Sequence, residues 1–319
     1  MAEVIALEGV RGPALEALAP DFSTAFLDGL DGTAETADAR ALIVRNRTQV
    51  DGALLERLPR LEVVARAGVG LDNIDVDACT AAGVVVTYAP GENTDSTAEH
   101  TLALALAAAH RVAELDRGVR RGAWDRRLGR ELMGGVWGVV GYGRIGRRVA
   151  ALARGIGMTV LAADPAVHAA DATADGAELV SLDRLLAEAL VVSVHVPLVD
   201  AARGLIGARE LARMRPEAIL VNTARGGIVD EAALAHALTT GQIAGAGLDV
   251  REQEPPPQPD PLADVEQVVL TPHVAALTPE AQQRVLQRIA RDVRAVLSGG
   301  EAERSANLAR PRRGAPARR

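Results

Sequence analysis

The chain has 319 residues, 48% hydrophobic and 24% charged, with a formal net charge of −7, enough for two ordinary domains with substantial cores. That negative balance argues against nucleic-acid or anionic-membrane partners, and one cysteine (Cys79) and six histidines exclude an internal disulfide and offer no zinc-ligand cluster, so no metal is expected. The N-terminal stretch carries Glu3 where an export signal would be positive, and the longest apolar run, Leu102–Ala109, falls far short of the roughly 20 residues that span a bilayer; a cytoplasmic protein is expected.

In chain order, Val4–Leu7, Ala41–Val44, Leu61–Ala65 and Val84–Thr87 read as strands of a parallel sheet. A helix over Ala53–Leu58, capped by Asp51 and followed by Pro59, lies between two of them. Ser96 and Glu99 match a capping box, which opens a helix predicted to run to about Arg121. The next strand, from Val136, enters the turn Gly141-x-Gly143-x-x-Gly146, an amphipathic run from Arg147 to Arg154 leaves it, and a second strand, Met158–Ala163, ends in Asp164. Apolar strands continue at Val191–Val196, Ile219–Val221, Ala244–Leu248 and Val268–Leu270. Thr278-Pro279 caps a last amphipathic helix, Ala281–Leu297, that is expected to return to the first domain. Beyond Ser298-Gly-Gly the pattern dissolves.

The expected fold class is therefore α/β, with two Rossmann-like or flavodoxin-like parallel-sheet domains separated by an active-site cleft. Residues 1–93 plus 279–305 would form a discontinuous substrate domain, 94–278 a nucleotide-binding domain, and 306–319 a disordered tail.

The glycine turn carries the first chemical signal. Gly141 permits a tight turn, Gly143 lets backbone approach a pyrophosphate, and Gly146 lets helix and strand pack closely. The helix N-terminus offers free N–H groups to the same anion. Asp164 falls where a carboxylate accepts hydrogen bonds from an adenosine ribose and repels a 2′-phosphate, so the expected cofactor is NAD.

Three later segments place polar residues just after apolar strands, where open α/β sheets keep their ligands. Arg225, followed by two glycines, suits bidentate binding of a small acid. Glu254 sits beside a proline run, and His273 stands at a strand end as a candidate proton acceptor.

These segments, with Arg66-Ala-Gly-Val-Gly-Leu-Asp-Asn-Ile-Asp75, Asn93–Glu99, Val194-His-Val-Pro-Leu198, Asn222–Asp230, Leu248-Asp-Val250 and Thr271-Pro-His273, resemble the NAD-dependent D-isomer-specific 2-hydroxyacid dehydrogenases over nearly the whole chain, most closely the phosphoglycerate dehydrogenase branch. The resemblance implies that Arg225 holds the substrate and polarises its carbonyl, that Glu254 pairs with His273, and that His273 is the acid/base. It implies cofactor contacts from Gly141, Gly143, Arg144, Ile145, Gly146, Asp164, His195, Pro197 and Ala224, with Asp249 on the nicotinamide amide. Backbone around Val69 and Gly70 would hold the substrate carboxylate. Arg45, Arg47 and Arg126 would meet a substrate phosphate, Arg126 from the partner of a homodimer. Two departures stand out: Val274-Ala-Ala-Leu277 replaces a glycine-rich, serine-containing stretch, and Val199 stands where threonine is frequent. No C-terminal regulatory domain is expected. The activity implied is hydride transfer between C2 of a D-2-hydroxy acid, 3-phosphoglycerate, and NAD. The alternatives are a glyoxylate or hydroxypyruvate reductase and, in another class, an NAD(H)-sensing co-repressor-like scaffold.

Overall fold

A computed structural model of the chain describes residues 2–30, 36 and 38–312. It separates into two compact units, Met1–Asn93 with Thr278–Arg319, and Thr94–Leu277.

In the first unit the chain runs β1 (Val4–Ala6), α1 (Pro13–Glu16), β2 (Thr24–Phe26), β3 (Ala41–Val44), α2 (Gly52–Arg57), β4 (Val63–Arg66), α3 (Val76–Ala81) and β5 (Val85–Thr87). The strands form one parallel sheet in the order β2-β1-β3-β4-β5. Alternate side chains divide between two cores: Val4, Ala6, Ile43 and Ala65 face one, and Ile5, Leu42, Val44 and Val64 the other. Covering both faces is why these strands read as unbroken apolar runs. The exception is the edge strand β2, whose half-buried Thr24–Phe26 carries no such signature.

The second unit runs α4 (Thr94–Ala109), α5 (Val112–Arg120), β6 (Val136–Val140), α6 (Arg144–Gly155), β7 (Thr159–Ala163), α7 (Ala169–Ala174), β8 (Glu178–Leu179), α8 (Leu182–Glu188), β9 (Val191–Val194), α9 (Ala208–Leu211), β10 (Ile219–Asn222), α10 (Glu231–Thr239), β11 (Gly245–Leu248) and β12 (Val268–Leu270). Its seven strands lie in the order β12-β11-β10-β9-β6-β7-β8, all parallel. The order reverses at β6, so the chain leaves β6 and β9 on opposite sides of a crevice at their carboxyl ends. The single helix expected from Ser96 to about Arg121 is two helices. Helix α4 begins at Thr94, leaving Ser96 buried inside its first turn, and Arg111, with φ 56°, breaks the chain before α5. The reason is burial: the Ala/Leu run of α4 is packed against β10 and β11, whereas no residue of α5 is buried.

Helix α11 (Pro279–Leu297) closes the first unit. Thr278 caps it by accepting from Ala281 N–H, and Val285, Ile289, Val293 and Val296 form the stripe that enters the core over β1, β3 and β4. The expectation of a disordered tail is corrected for 306–312; residues 313–319 lie outside the described range. Ser305 bridges Thr87 antiparallel, and Ala306 N–H donates to Val86 O at 2.8 Å. Asn307 accepts from Val86 N–H at 2.9 Å and donates to Val84 O at 3.0 Å. The open edge of β5 supplied unpaired backbone groups that a short polar segment satisfies, and hydrophobic periodicity does not report such pairing.

Candidate active site

The glycine turn joins β6 to α6. Register pairs Val140 with Ala163 on β7 and with Val194 on β9, so Gly141, Asp164 and His195 stand level at three neighbouring strand ends. Gly141 has φ 91°, and a Cβ there would lie 2.8 Å from His195 O. A Cβ on Gly146 would lie 2.1 Å from Gly141 O, so only glycine lets α6 seat against the turn. A Cβ on Gly143 would meet nothing within 4 Å. That position opens space at the α6 N-terminus, where exposed Arg144 and half-buried Ile145 follow, and the cradle fits a dinucleotide's phosphates. Asp164 has a structural task that the sequence did not reveal. Its Oδ2 accepts from Tyr142 N–H and its Oδ1 from Ala166 N–H, both at 2.8 Å, which ties β7 to the turn. His195 Nε2 lies 2.9 Å from Ser193 Oγ, which also accepts from buried Trp137 Nε1. Burial pushes the pKa of His195 down to about 3, so the imidazole is neutral. Pro197 is exposed beyond it.

Three adjacent strands carry the remaining chemistry. Asn222, Leu248 and Leu270 are level across β10, β11 and β12, and Arg225, Glu254 and His273 follow them. Buried Asn222 folds the first loop by donating to Arg225 O and accepting from Ala224 N–H. Half-buried Arg225 donates to Ala224 O. A Cβ on Gly226 would lie 1.8 Å from Arg251 O, so this loop rests directly on the backbone of the next.

That next loop is fastened by Arg251, whose guanidinium is almost entirely buried. It binds Asp260 through Nη1 and Nη2 at 3.0 and 2.7 Å, and Glu231 through Nη2 at 2.8 Å. The Arg251 hydrogen bonds hold the Asp260 carboxyl below the usual carboxylate range. Arg251 N–H in turn donates to Glu254 Oε1 at 3.1 Å.

Glu254 Oε2 lies 2.7 Å from His273 Nδ1. Burial pushes the Glu254 carboxyl up, but the bonds from His273 and from Arg251 N–H outweigh it and leave it below its ordinary range. An ionised carboxylate only accepts, so Nδ1 carries the ring proton and Nε2 of the neutral imidazole keeps its lone pair. His273 itself sits in the left-handed region at φ 55°, a conformation a non-glycine residue keeps only when its surroundings enforce it.

Asp249 does the enforcing. Its side chain has 0% exposure. Oδ1 accepts from Thr271 Oγ1 at 2.6 Å and Val274 N–H at 2.9 Å, and Oδ2 accepts from Ala275 N–H at 2.8 Å. Its backbone carbonyl accepts from His273 N–H at 2.7 Å. Because the one hydroxyl proton of Thr271 goes to Asp249, Thr271 Oγ1 must accept from His100 Nε2, 3.0 Å away. His100, Thr271 and Arg251 are supporting residues to which the sequence reading gave no role, because each bonds to residues distant in the chain; Asn222, whose bonds are local, was legible only as part of the Asn222–Asp230 motif.

The candidate substrate residues are divided. Arg45, Arg47, Val69 and Gly70 belong to the first unit, at the carboxyl ends of β3 and β4, with Arg47 exposed and the other three half-buried. Arg126 belongs to the second unit, on the exposed segment after α5. Among the described residues, no group of three or more His, Cys, Asp and Glu is placed to hold a metal ion.

Residues 102–275 match the family model described as the D-isomer specific 2-hydroxyacid dehydrogenase, NAD binding domain. A D-3-phosphoglycerate dehydrogenase from Archaeoglobus fulgidus is 46% identical over 276 residues, covering 86% of this chain and 52% of the relative. This chain thus spans about half the length of such relatives. A glyoxylate reductase from Korarchaeum cryptofilum is 44% identical, covering 82% of this chain and 81% of the relative. The crystal structure of a D-lactate dehydrogenase from Aquifex aeolicus, complexed with NAD and lactic acid, superposes with a TM-score of 0.82 at 31% identity, covering 93% of this chain and 96% of that one.

Proposed function

Because this chain belongs to the D-isomer-specific 2-hydroxyacid dehydrogenase family, we propose that it transfers hydride between C2 of a D-2-hydroxy acid, 3-phosphoglycerate, and NAD. The observation that carries the reading is the His273–Glu254 pair at 2.7 Å, whose β12 and β11 lie four and three strands along the sheet from a dinucleotide turn with an acid beside it. NAD, when bound on the Gly141–Gly146 turn, supplies the hydride acceptor; Asp164, Ile145, Arg144, His195, Pro197 and Ala224 are the residues we place against it. In the oxidative direction His273 Nε2 takes the C2 hydroxyl proton while Glu254 stabilises the charged ring. Arg225 holds the substrate carboxylate and carbonyl oxygen, and backbone at Val69 and Gly70 assists. We place Arg45, Arg47 and Arg126 on the substrate phosphate.

A second reading, reduction of glyoxylate or hydroxypyruvate, is supported by the 44% identity to the glyoxylate reductase over 82% of this chain. A cofactor-sensing scaffold has no use for a braced proton acceptor, and the His273–Glu254 pair weighs against it. The deciding experiment follows absorbance at the NADH band with phosphorylated and plain 2-hydroxy acids plus NAD, and with glyoxylate plus NADH. The expected result is NAD-dependent oxidation of 3-phosphoglycerate. Turnover of glyoxylate alone would establish the second reading, and no turnover with tight NADH binding would overturn both.

A homodimer belongs to the same proposal. Trp124 is 81% and Leu128 92% exposed, next to α5 with Val112 and Val119 also exposed, an apolar surface that a monomer leaves in water. Trp124→Glu with Leu128→Glu is expected to halve the mass seen by light scattering; a monomeric wild-type protein would end the idea. No helix among the described residues is long and apolar enough to cross a membrane. We place the protein in the cytoplasm, and its recovery in an exported fraction would contradict that.

A further inference from the structure

Glu8 lies two residues beyond β1 with φ 58°, and its carboxylate is buried in a loop of the first unit, its side chain 3% exposed. Four consecutive backbone N–H groups converge on it. Oε1 accepts from Arg45 at 3.2 Å and Thr48 at 3.0 Å, and Oε2 accepts from Asn46 at 3.1 Å and Arg47 at 2.9 Å. Successive N–H groups gathered on one anion form a nest of the kind that elsewhere holds a phosphate. Here the protein's own carboxylate fills it. Burial pushes the Glu8 carboxyl up, but the bonds from Arg47, Thr48 and Arg45 outweigh it, so the group stays ionised. The loop's side chains therefore leave from a fixed backbone: Arg45 reaches Gln282 Oε1 at 2.6 Å, and Arg47 Nε stays 3.8 Å from Glu8 Oε2.

We propose that Glu8 is a positioning residue that clamps the Arg45–Thr48 loop and so sets the geometry in which Arg45 and Arg47 meet the anionic end of the substrate. This rests on the substrate reading given above. The sign of one measurement separates the clamp from a mere neighbouring charge. If Glu8 acted only through its charge, removing it would make the loop more attractive to a phosphorylated acid and lower its KM. If Glu8 holds the loop, an amide in its place must turn an NH2 group towards backbone donors, the loop opens, and KM rises.

The test compares wild-type protein with Glu8→Gln and Glu8→Asp, checking first that each melts cooperatively. In Glu8→Gln, KM for 3-phosphoglycerate is expected to rise roughly tenfold more than KM for glyoxylate, and the amides of residues 45–48 to lose protection from hydrogen exchange. Glu8→Asp, which keeps a carboxylate and tolerates positive φ, should fall between the two. A folded Glu8→Gln protein with unchanged or lowered KM for 3-phosphoglycerate overturns the proposal. Wild-type protein inactive on 3-phosphoglycerate overturns the substrate reading instead. Amide exchange then decides the clamp by itself: protection retained in Glu8→Gln refutes it, and protection lost at those four amides supports it.

Discussion

His273→Ala is expected to lower kcat/KM by about 10³-fold while leaving NADH affinity unchanged. The Nδ1–Glu254 bond consumes one ring nitrogen and leaves the other as the acceptor, so alanine removes the proposed base at the end of β12. Water can replace it, but without the orientation that the pair supplies. NADH binding should persist because the glycine turn, Asp164 and His195 stand on β6, β7 and β9 and share no bond with His273. Fluorescence titration with NADH and single-turnover absorbance measure the two quantities separately. Near-normal hydride transfer in the variant would remove His273 from the role of base.

Gly226→Ala is expected to damage both catalysis and stability, although alanine adds a single methyl group. The Cβ would lie 1.8 Å from Arg251 O, 2.2 Å from Arg251 C and 2.6 Å from Glu252 N, all main-chain atoms. Arg251 cannot withdraw without breaking its pairs with Glu231 and Asp260, and an almost fully buried guanidinium left unpaired is strongly destabilising. The conflict must move either the Arg225 loop or the Glu254 loop, and both carry proposed catalytic groups. We expect a loss of about 3 kcal/mol in urea unfolding and a fall in kcat of roughly 100-fold. A variant that melts and turns over like wild type would mean that the two loops are not in register through Gly226.

Much of this arrangement was legible in the sequence because parallel strands buried on both faces announce themselves as apolar runs, and polar residues in the loop after each run stand at the ligand end of the sheet. Asp164, Arg225, Glu254 and His273 were found by that logic. What stayed hidden depends on pairing between distant segments. Nothing near Glu8 in the chain signals that it will bind four amides of residues 45–48. The resemblance alone assigns Asp249 to the cofactor, and nothing near it in the chain signals that its carboxylate also braces Thr271, Val274 and Ala275. The half-buried β2 and residues 305–307 escaped for the same reason: an edge is held by backbone hydrogen bonds, which leave little mark on side-chain periodicity. The break at Arg111 is a conformational choice of one residue inside a continuous run of helix formers, and propensity alone would have carried the helix through it.

The first unit is assembled from both sides of the second. Its sheet comes from residues 4–87, yet the stripe Val285, Ile289, Val293 and Val296 that seals one face, and the Ser305–Asn307 segment that covers β5, are synthesised only after residues 94–277. As the chain leaves the ribosome, the second unit can complete its core as soon as its own residues emerge, while the earlier sheet must wait with an open face. The joining of residues near 5 and near 290 then closes a loop of nearly the whole chain, whose ends are held near each other only if the inserted unit has already folded. Folding order is thereby written into the connectivity, and refolding from denaturant places the same demand on the first unit, which has to find its last helix across the length of the polypeptide.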